Sequence, residues 1–492
     1  MLMRFFSLLL YNIVLVLATP ASAAWRVAET AHFRLYGEQS ESVLRERVIL
    51  LEDFSNLLGL LTTGAGKVEG APPLDVFLVD KIADATPFRP VGKNIADFYI
   101  TTSGRIAAFS ETGAFGQLIL LHEYTHHFML GQAAVAYPRW YVEGFAEYFA
   151  TAVFKTATVE FGGVSPGRAM QLVRGVWLPF DRLIARDPML KSERETSAFY
   201  AQSWLLAHYL LRMPGQRGKL TAYLRAVAGG ADSVAAFKEH VDPNLQGFDK
   251  KLRHYIKSRD ITYSKFDRPA ASAARVTITT LPKSADAVLM KMTALELGRP
   301  PEPDKALADT RAAAAKFPGD PLAERTLALA ELQLGDRKTA ATMIDALLAR
   351  APEDATLLRW RALALDPLAS GTNAADRAAA RRLLVRSFRA DPADWRTMLI
   401  YLKIAGQRSG PTTGSDLDVA LRARELTPQV PDLVITTAPA PIAFPKRRGR
   451  SNRWRFQRMT AVRQPFEPAR NGDKPGFLAV MRQPAPVLDE SD

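Results

Sequence analysis

The sequence predicts an α+β fold followed by an all-α helical array. Three observations carry this reading. Apolar segments of strand length occupy the chain up to about Phe109, with one helix among them. From about Ala114 to Tyr255 the apolar spacing becomes mostly helical. From about Ser284 an Ala-, Leu- and Arg-rich stretch carries a recurring proline landmark. Strands first and helices after is the order of a sheet with its helices segregated. The chain has 492 residues, 48% of them hydrophobic and 23% charged, which excludes a wholly disordered or fibrous protein. At roughly 100–200 residues per domain, that length accommodates two to four domains.

Taken in order, residues 1–23 read as a secretory signal peptide. Arg4 precedes the apolar run Phe5–Leu17, and Ala21-Ser22-Ala23 gives a small-x-small cleavage pattern. An uncleaved anchor is the alternative. Either way the remainder is expected across a membrane, periplasmic or secreted, with no further membrane span. The absence of cysteine suits an oxidising compartment and excludes disulfides, thiolate zinc sites and a cysteine nucleophile.

Residues 24–265 form the first expected domain. His32–Tyr36 alternates and ends at Gly37, as a half-buried strand does. Leu44, Val48, Leu51, Phe54 and Leu58 share one side of a helix over Ser42–Leu61. Asp75–Asp80 is a short apolar strand. Phe98–Ile100 and Arg105–Phe109 flank Thr101-Thr102-Ser103-Gly104 as a hairpin.

The next segment carries chemistry. His122-Glu123-Tyr124-Thr125-His126 has the pattern H-E-x-x-H within an apolar helix that stops at Gly131. Residues four apart on a helix lie on one face, so two imidazoles stand side by side and can hold one Zn²⁺. Glu123 can face the open position as general base toward a water. Catalytic zinc takes three protein ligands, so a third is expected from a neighbouring element. Pro138 opens a second helix that places Glu143 and Glu147 four apart on one face, and two carboxylates on an apolar helix need a cation or hydrogen bonds.

These paired motifs resemble those of the gluzincin metallopeptidases. More narrowly, Trp140-Tyr141-Val142-Glu143-Gly144-Phe145-Ala146-Glu147-Tyr148 after the H-E-x-x-H helix resembles secreted peptidase-MA-like bacterial proteins. The resemblance covers roughly residues 25–265. It implies a zinc peptidase acting on a peptide or protein substrate. His122, His126 and Glu143 would be the ligands, and Glu147 would orient a ligand histidine; the alternative is Glu147 as third ligand in place of Glu143. It further implies a donor toward the reacting carbonyl oxygen, for which Tyr200 is the candidate, and a sheet edge that pairs with extended substrate, for which the Phe98–Phe109 hairpin is the candidate. His208 is expected to be structural, and His127 has no metal role.

Residues 284–430 carry Pro318-Gly319-Asp320, Pro352-Glu353-Asp354, Pro392-Ala393-Asp394 and Pro428. The gaps are 34, 40 and 36 residues, the extra length of the second falling in Leu368–Ala375. The layout resembles tetratricopeptide repeats, three to four units of paired helices, and implies a protein partner for that module. This gives the rival function: a binding or scaffold protein whose peptidase-like domain is inactive. Residues 431–492 read as a basic Pro/Arg-rich disordered tail. Residues 440–492 hold 11 Lys+Arg and 5 Asp+Glu, about half of the net charge of +13. Placed there, beyond an export signal, the charge does not argue for nucleic acid.

Overall fold

The computed structural model describes residues 24–436, apart from 63–70, 89–96, 113–115, 133–136, 165, 259–260, 270–272 and 408–413. The signal segment and the tail beyond Thr436 lie outside the described residues. The first part runs β1 (Arg26–Glu29), β2 (Phe33–Gly37), α1 (Glu41–Thr62), β3 (Leu74–Val79), β4 (Asp97–Thr101), β5 (Ile106–Glu111), α2 (Gly116–Gln132) and α3 (Arg139–Ala150). It continues through β6 (Val153–Phe154), β7 (Thr158–Phe161), α4 (Pro166–Arg174), α5 (Phe180–Ile184), α6 (Glu193–Arg212), α7 (Gln216–Ala228), α8 (Ser233–His240), α9 (Leu245–Tyr255) and β8 (Ser264–Asp267). The coarse class is α+β.

Strand β9 (Thr277–Thr280) completes a six-stranded sheet in the order β4-β5-β3-β2-β1-β9. Strand β3 runs parallel to β2 and β5, and the remaining pairs are antiparallel. A division at residue 265 would therefore cut through β8 and part β9 from the sheet it extends. Strand β4 is one edge, pairing only with β5 among the described strands. All six residues of β3 are buried, because both faces of the sheet are covered.

One face packs Phe33, Leu35, Leu74, Val76, Tyr99, Ile106 and Ala108 against α1 and α2. The five helix residues singled out by spacing, Leu44, Val48, Leu51, Phe54 and Leu58, are all fully buried there. The opposite face carries an aromatic row across four strands. Tyr36, Phe77, Phe109 and Phe98 stack in sequence with ring centroids 4.7, 5.0 and 4.5 Å apart. Ala285, Leu289 and Leu297 of the next helix cover that row.

That helix opens the array: α10 (Ala285–Leu297), α11 (Pro303–Ala314), α12 (Pro321–Leu334), α13 (Arg337–Arg350), α14 (Ala355–Ala364), α15 (Ala374–Ala390), α16 (Trp395–Ala405), α17 (Gly414–Leu426) and α18 (Pro431–Thr436). The recurring Pro-x-Asp has a local cause. The proline falls between helices, and the aspartate caps the next one: Asp320 accepts from the backbone N–H of Leu322 and Ala323, and Asp354 from that of Leu357. Asp394 caps nothing with its side chain, since Arg359 and Arg396 hold it. Helix α18 also shows that regular structure continues past residue 430, because Pro431 starts a helix as readily as it ends one. Among the described residues, no helix is long and apolar enough to cross a membrane.

Array and sheet are joined by buried charge. Asp75 accepts from Arg34 at 2.6 Å and from Arg105 at 2.6 Å. Arg105 also pairs with Glu296 of α10, which lies within electrostatic reach of Arg359 and Arg396. The β4–β5 turn sits directly on the end of α10, where a Cβ on Gly104 would stand 2.0 Å from the Glu296 carbonyl oxygen. Removing one partner from a buried ion network leaves charge uncompensated, at about 3–5 kcal/mol. Arg105→Ala should therefore lower unfolding stability by that amount, read as a fall in the urea midpoint. A shift below about 1 kcal/mol would show that the network contributes little.

Candidate metal centre

Helix α2 is buried nearly all round, and one hydroxyl bond ties it to α1 while another closes back on its own backbone. Tyr124 donates to Ser55 of α1 at 2.6 Å, and Thr125 donates to the Leu121 carbonyl at 2.7 Å. One turn apart, His122 and His126 turn their Nε2 atoms toward each other at 3.0 Å. Tyr99 of the edge strand hydrogen-bonds His127 Nδ1 at 3.1 Å, which ties β4 to the same helix. His127 thus faces away from the other two imidazoles.

Helix α3 is held by the residues around its carboxylates. Trp140 Nε1 donates to Tyr223, whose hydroxyl meets Ser233, and Ser233 donates to the Ile184 carbonyl; the three distances are 2.9, 2.7 and 2.6 Å. At the other end Tyr148 bonds Ser264 at 3.0 Å. Between them, a Cβ on Gly144 would stand 2.2 Å from the Ser203 carbonyl oxygen of α6. Only glycine allows the backbones of α3 and α6 to approach so closely, and that approach brings Tyr200 beside the histidines.

Three side chains from two helices converge. Glu143 Oε2 lies 3.3 Å from His126 Nε2 and 3.6 Å from His122 Nε2. Ligands about 2.0–2.1 Å from a tetrahedral centre are about 3.3–3.4 Å apart, so separations of 3.0, 3.3 and 3.6 Å suit one shared ion. Glu143 Oε2 is buried and accepts no hydrogen bond of proper geometry. A buried carboxylate oxygen left so is what a cation satisfies. His122, His126 and Glu143 could therefore hold a metal ion. The two carboxylates of α3 play different parts in the geometry. Glu147 lies 3.7 Å from the far nitrogen of His122, Nδ1, and accepts from Arg168 of α4 at 2.5 Å.

Glu123 is buried beside the group, and its charge acts on His122, Tyr99 and Tyr200. Tyr200 is half-exposed, its ring centroid 6.3 Å from that of His122. The Glu143 carboxylate and burial raise its phenol well above the ordinary value, so it stays a proton donor. Burial alone would depress His122, but Glu143, Glu147 and Glu123 outweigh it and lift the imidazole to about 9. Burial would raise Glu143, and His126 and His122 instead hold it below the usual carboxylate range.

His208 lies outside the group. Its Nε2 donates to the Thr262 carbonyl at 2.9 Å, Tyr255 donates to its Nδ1, and burial lowers it to about 4, so it is neutral. His32 pairs with Glu52 at 2.9 Å. Two arginines that sequence reasoning missed border the centre. Arg168 bonds Glu147 and lies 5.1 Å over the Tyr200 ring. Nothing in the sequence around Pro166-Gly167-Arg168 marks it, since α4 is brought in by tertiary packing. Arg139 did carry a signal, standing four residues before Glu143 on the same helix face.

No family model matches the chain, and no curated protein or solved structure is significantly similar to it.

The raised imidazole gives a prediction with a definite sign. His122 moves from 6.5 to about 9, so in the metal-free protein its contribution to stability is complete below about pH 6.5 and lost as pH rises through 9. Metal needs the neutral ring, so apparent Zn²⁺ affinity should climb over the same window, with proton release on binding. Calorimetric titration of chelator-stripped protein at several pH values, in buffers of different ionisation enthalpy, measures both. A pH-independent affinity would contradict the assignment.

Proposed function

We propose that the protein is a zinc-dependent peptidase, similar to the gluzincins and to secreted peptidase-MA-like bacterial proteins. The observation that carries the reading is the convergence of His122, His126 and Glu143 with a second buried acid, Glu123, beside them. Zinc held by those three residues would polarise the scissile carbonyl and acidify a water molecule.

The chain's own residues supply the remainder. Glu123 takes a proton from the attacking water and returns it to the departing amine. Tyr200, kept protonated by its acidic surroundings, donates a hydrogen bond to the carbonyl oxygen as that oxygen gains charge. Glu147, braced by Arg168, faces His122 Nδ1 and fixes the orientation of that ring. The edge strand β4, which pairs only with β5 among the described strands, would pair with an extended peptide, on an element tied to α2 through Tyr99 and His127. In this reading the protein works beyond the membrane that its N-terminal segment crosses, and the array is a tetratricopeptide-like module.

The test separates chemistry from metal binding. Glu123→Gln should lower hydrolysis of a peptide library by about 10²–10⁴-fold while zinc content stays stoichiometric. Tyr200→Phe should lower kcat by about 10²–10³-fold with KM little changed. Full hydrolysis by Glu123→Gln, or purified protein that takes up no zinc, would sink the proposal.

A further inference from the structure

The charges around the metal centre do not balance, and the excess has an address. Glu123, Glu143 and Glu147 are buried together. Arg168 offsets Glu147 directly. A divalent ion would offset Glu143 and one carboxylate more, which brings the site to neutrality. Arg139 then stands over as surplus positive charge.

Arg139 lies in the first turn of α3, one helical turn before Glu143 and on the same face, so the two side chains leave the helix about 5–6 Å apart. Its guanidinium sits 5.1 Å over the ring of Phe199, the residue before Tyr200. Its charge is felt at the Tyr200 phenol, which places it on the side of the centre where the donor stands. It is half-buried. Five arginines packed into this protein, Arg34, Arg105, Arg168, Arg268 and Arg359, each meet a carboxylate, while the half-buried Arg212 and Arg217 instead donate to hydroxyl and carbonyl oxygens. Arg139 meets no carboxylate among the described residues, where the Phe199 ring is its partner. A cation in the first turn of a helix also faces the positive end of the helix dipole, an unfavourable position that an incoming anion would relieve.

Resting on the peptidase reading of the same site, we propose that Arg139 binds a carboxylate of the substrate next to the scissile bond. The carboxylate is either the C-terminal group of the peptide or an acidic side chain flanking the cleaved bond. In both cases Arg139 makes a charge-assisted, bidentate hydrogen bond over a stacked aromatic platform, which lysine reproduces poorly. A C-terminal carboxylate makes the enzyme a carboxypeptidase, and a side chain makes it an endopeptidase selective for acidic sequences.

The experiment measures binding apart from turnover. Full-length protein carrying Glu123→Gln and loaded with zinc is titrated with dye-labelled decapeptide mixtures by fluorescence anisotropy. One pair of mixtures differs only in a free or amidated C-terminus. A second, fully amidated pair carries Glu or Gln at the internal positions. We expect the acid member of one pair to bind about tenfold or more tighter than its neutral counterpart. That ratio should collapse toward one in Arg139→Met and recover in part in Arg139→Lys, with zinc stoichiometry and Tm unchanged. The pair that responds identifies the source of the carboxylate. Ratios of about one in both pairs, or a preference that survives Arg139→Met, overturn the proposal. Hydrolysis by the unsubstituted protein is read separately: cleavage without a carboxylate preference overturns the anion site alone, whereas an Arg139-dependent preference without any cleavage supports the anion site and removes the peptidase reading.

Discussion

Buried negative charge is the constraint around which this structure is arranged. Glu123, Glu143 and Glu147 are 7%, 2% and 4% exposed, and they lie within one small region. Carboxylates in such surroundings either take up protons or require fixed positive partners. Here the partners come from two helices, the imidazoles from α2 and Arg168 from α4, with the neutral Tyr200 phenol of α6 beside them. Those helices must meet at short range for the charges to compensate one another. That requirement explains the glycine at 144 beneath the Ser203 carbonyl, and the hydrogen-bonded chain from Trp140 to Ile184. A cation shared by His122, His126 and Glu143 would satisfy the Glu143 oxygen that accepts no hydrogen bond.

The opposite face of the sheet holds a second buried ionic assembly, and the contrast between the two is informative. Asp75 lies between Arg34 and Arg105, Glu296 meets Arg105, and Asp394 lies between Arg359 and Arg396. Within that assembly every carboxylate has a guanidinium, and the links run from strands to helices of the array. It is a joint. The centre on α2 and α3 instead leaves one oxygen of Glu143 without a hydrogen bond and, among the described residues, the Arg139 guanidinium without a carboxylate. An internally satisfied network holds a structure together, whereas an unsatisfied one could hold a metal ion.

Local patterns were legible in the sequence, and long-range pairings were not. The helix over α1 could be read because its five apolar residues follow one face, and the β4–β5 hairpin because a Thr-Thr-Ser-Gly turn separates two apolar runs. The relation of His122 to His126 is a matter of helical geometry alone. Strand β9 could not be found, since Thr277–Thr280 is short and mostly exposed and gains its identity only by pairing with β1 across the whole first part of the chain. The ion pairs of Arg105 and Arg168 span 191 and 21 residues, and no spacing rule announces them. Gly144 sat in plain view within a recognised motif, but its reason, a backbone oxygen of another helix, is visible only in three dimensions.

The position of the array bears on what its helices can do. Leu289 and Leu297 of α10 lie on the aromatic row of the sheet. Trp395, Met398, Leu399 and Leu402 of α16, with Leu426, Val430 and Leu433 beyond it, belong to the same buried cluster as Tyr99 and Tyr124. Thr101, at the end of the edge strand, donates to the carbonyl oxygen of Gln429. The array is therefore packed into the core of the first part of the chain, and those side chains are closed to any partner. A protein bound by the array would have to use its other surfaces. The residues already engaged fix the hairpin whose edge lies nearest the motif helix, so the array bears on the centre through β4 in cis. The same strand carries Tyr99, which hydrogen-bonds His127, so direct contacts join the segment around Gln429, β4 and the helix that carries His122 and His126.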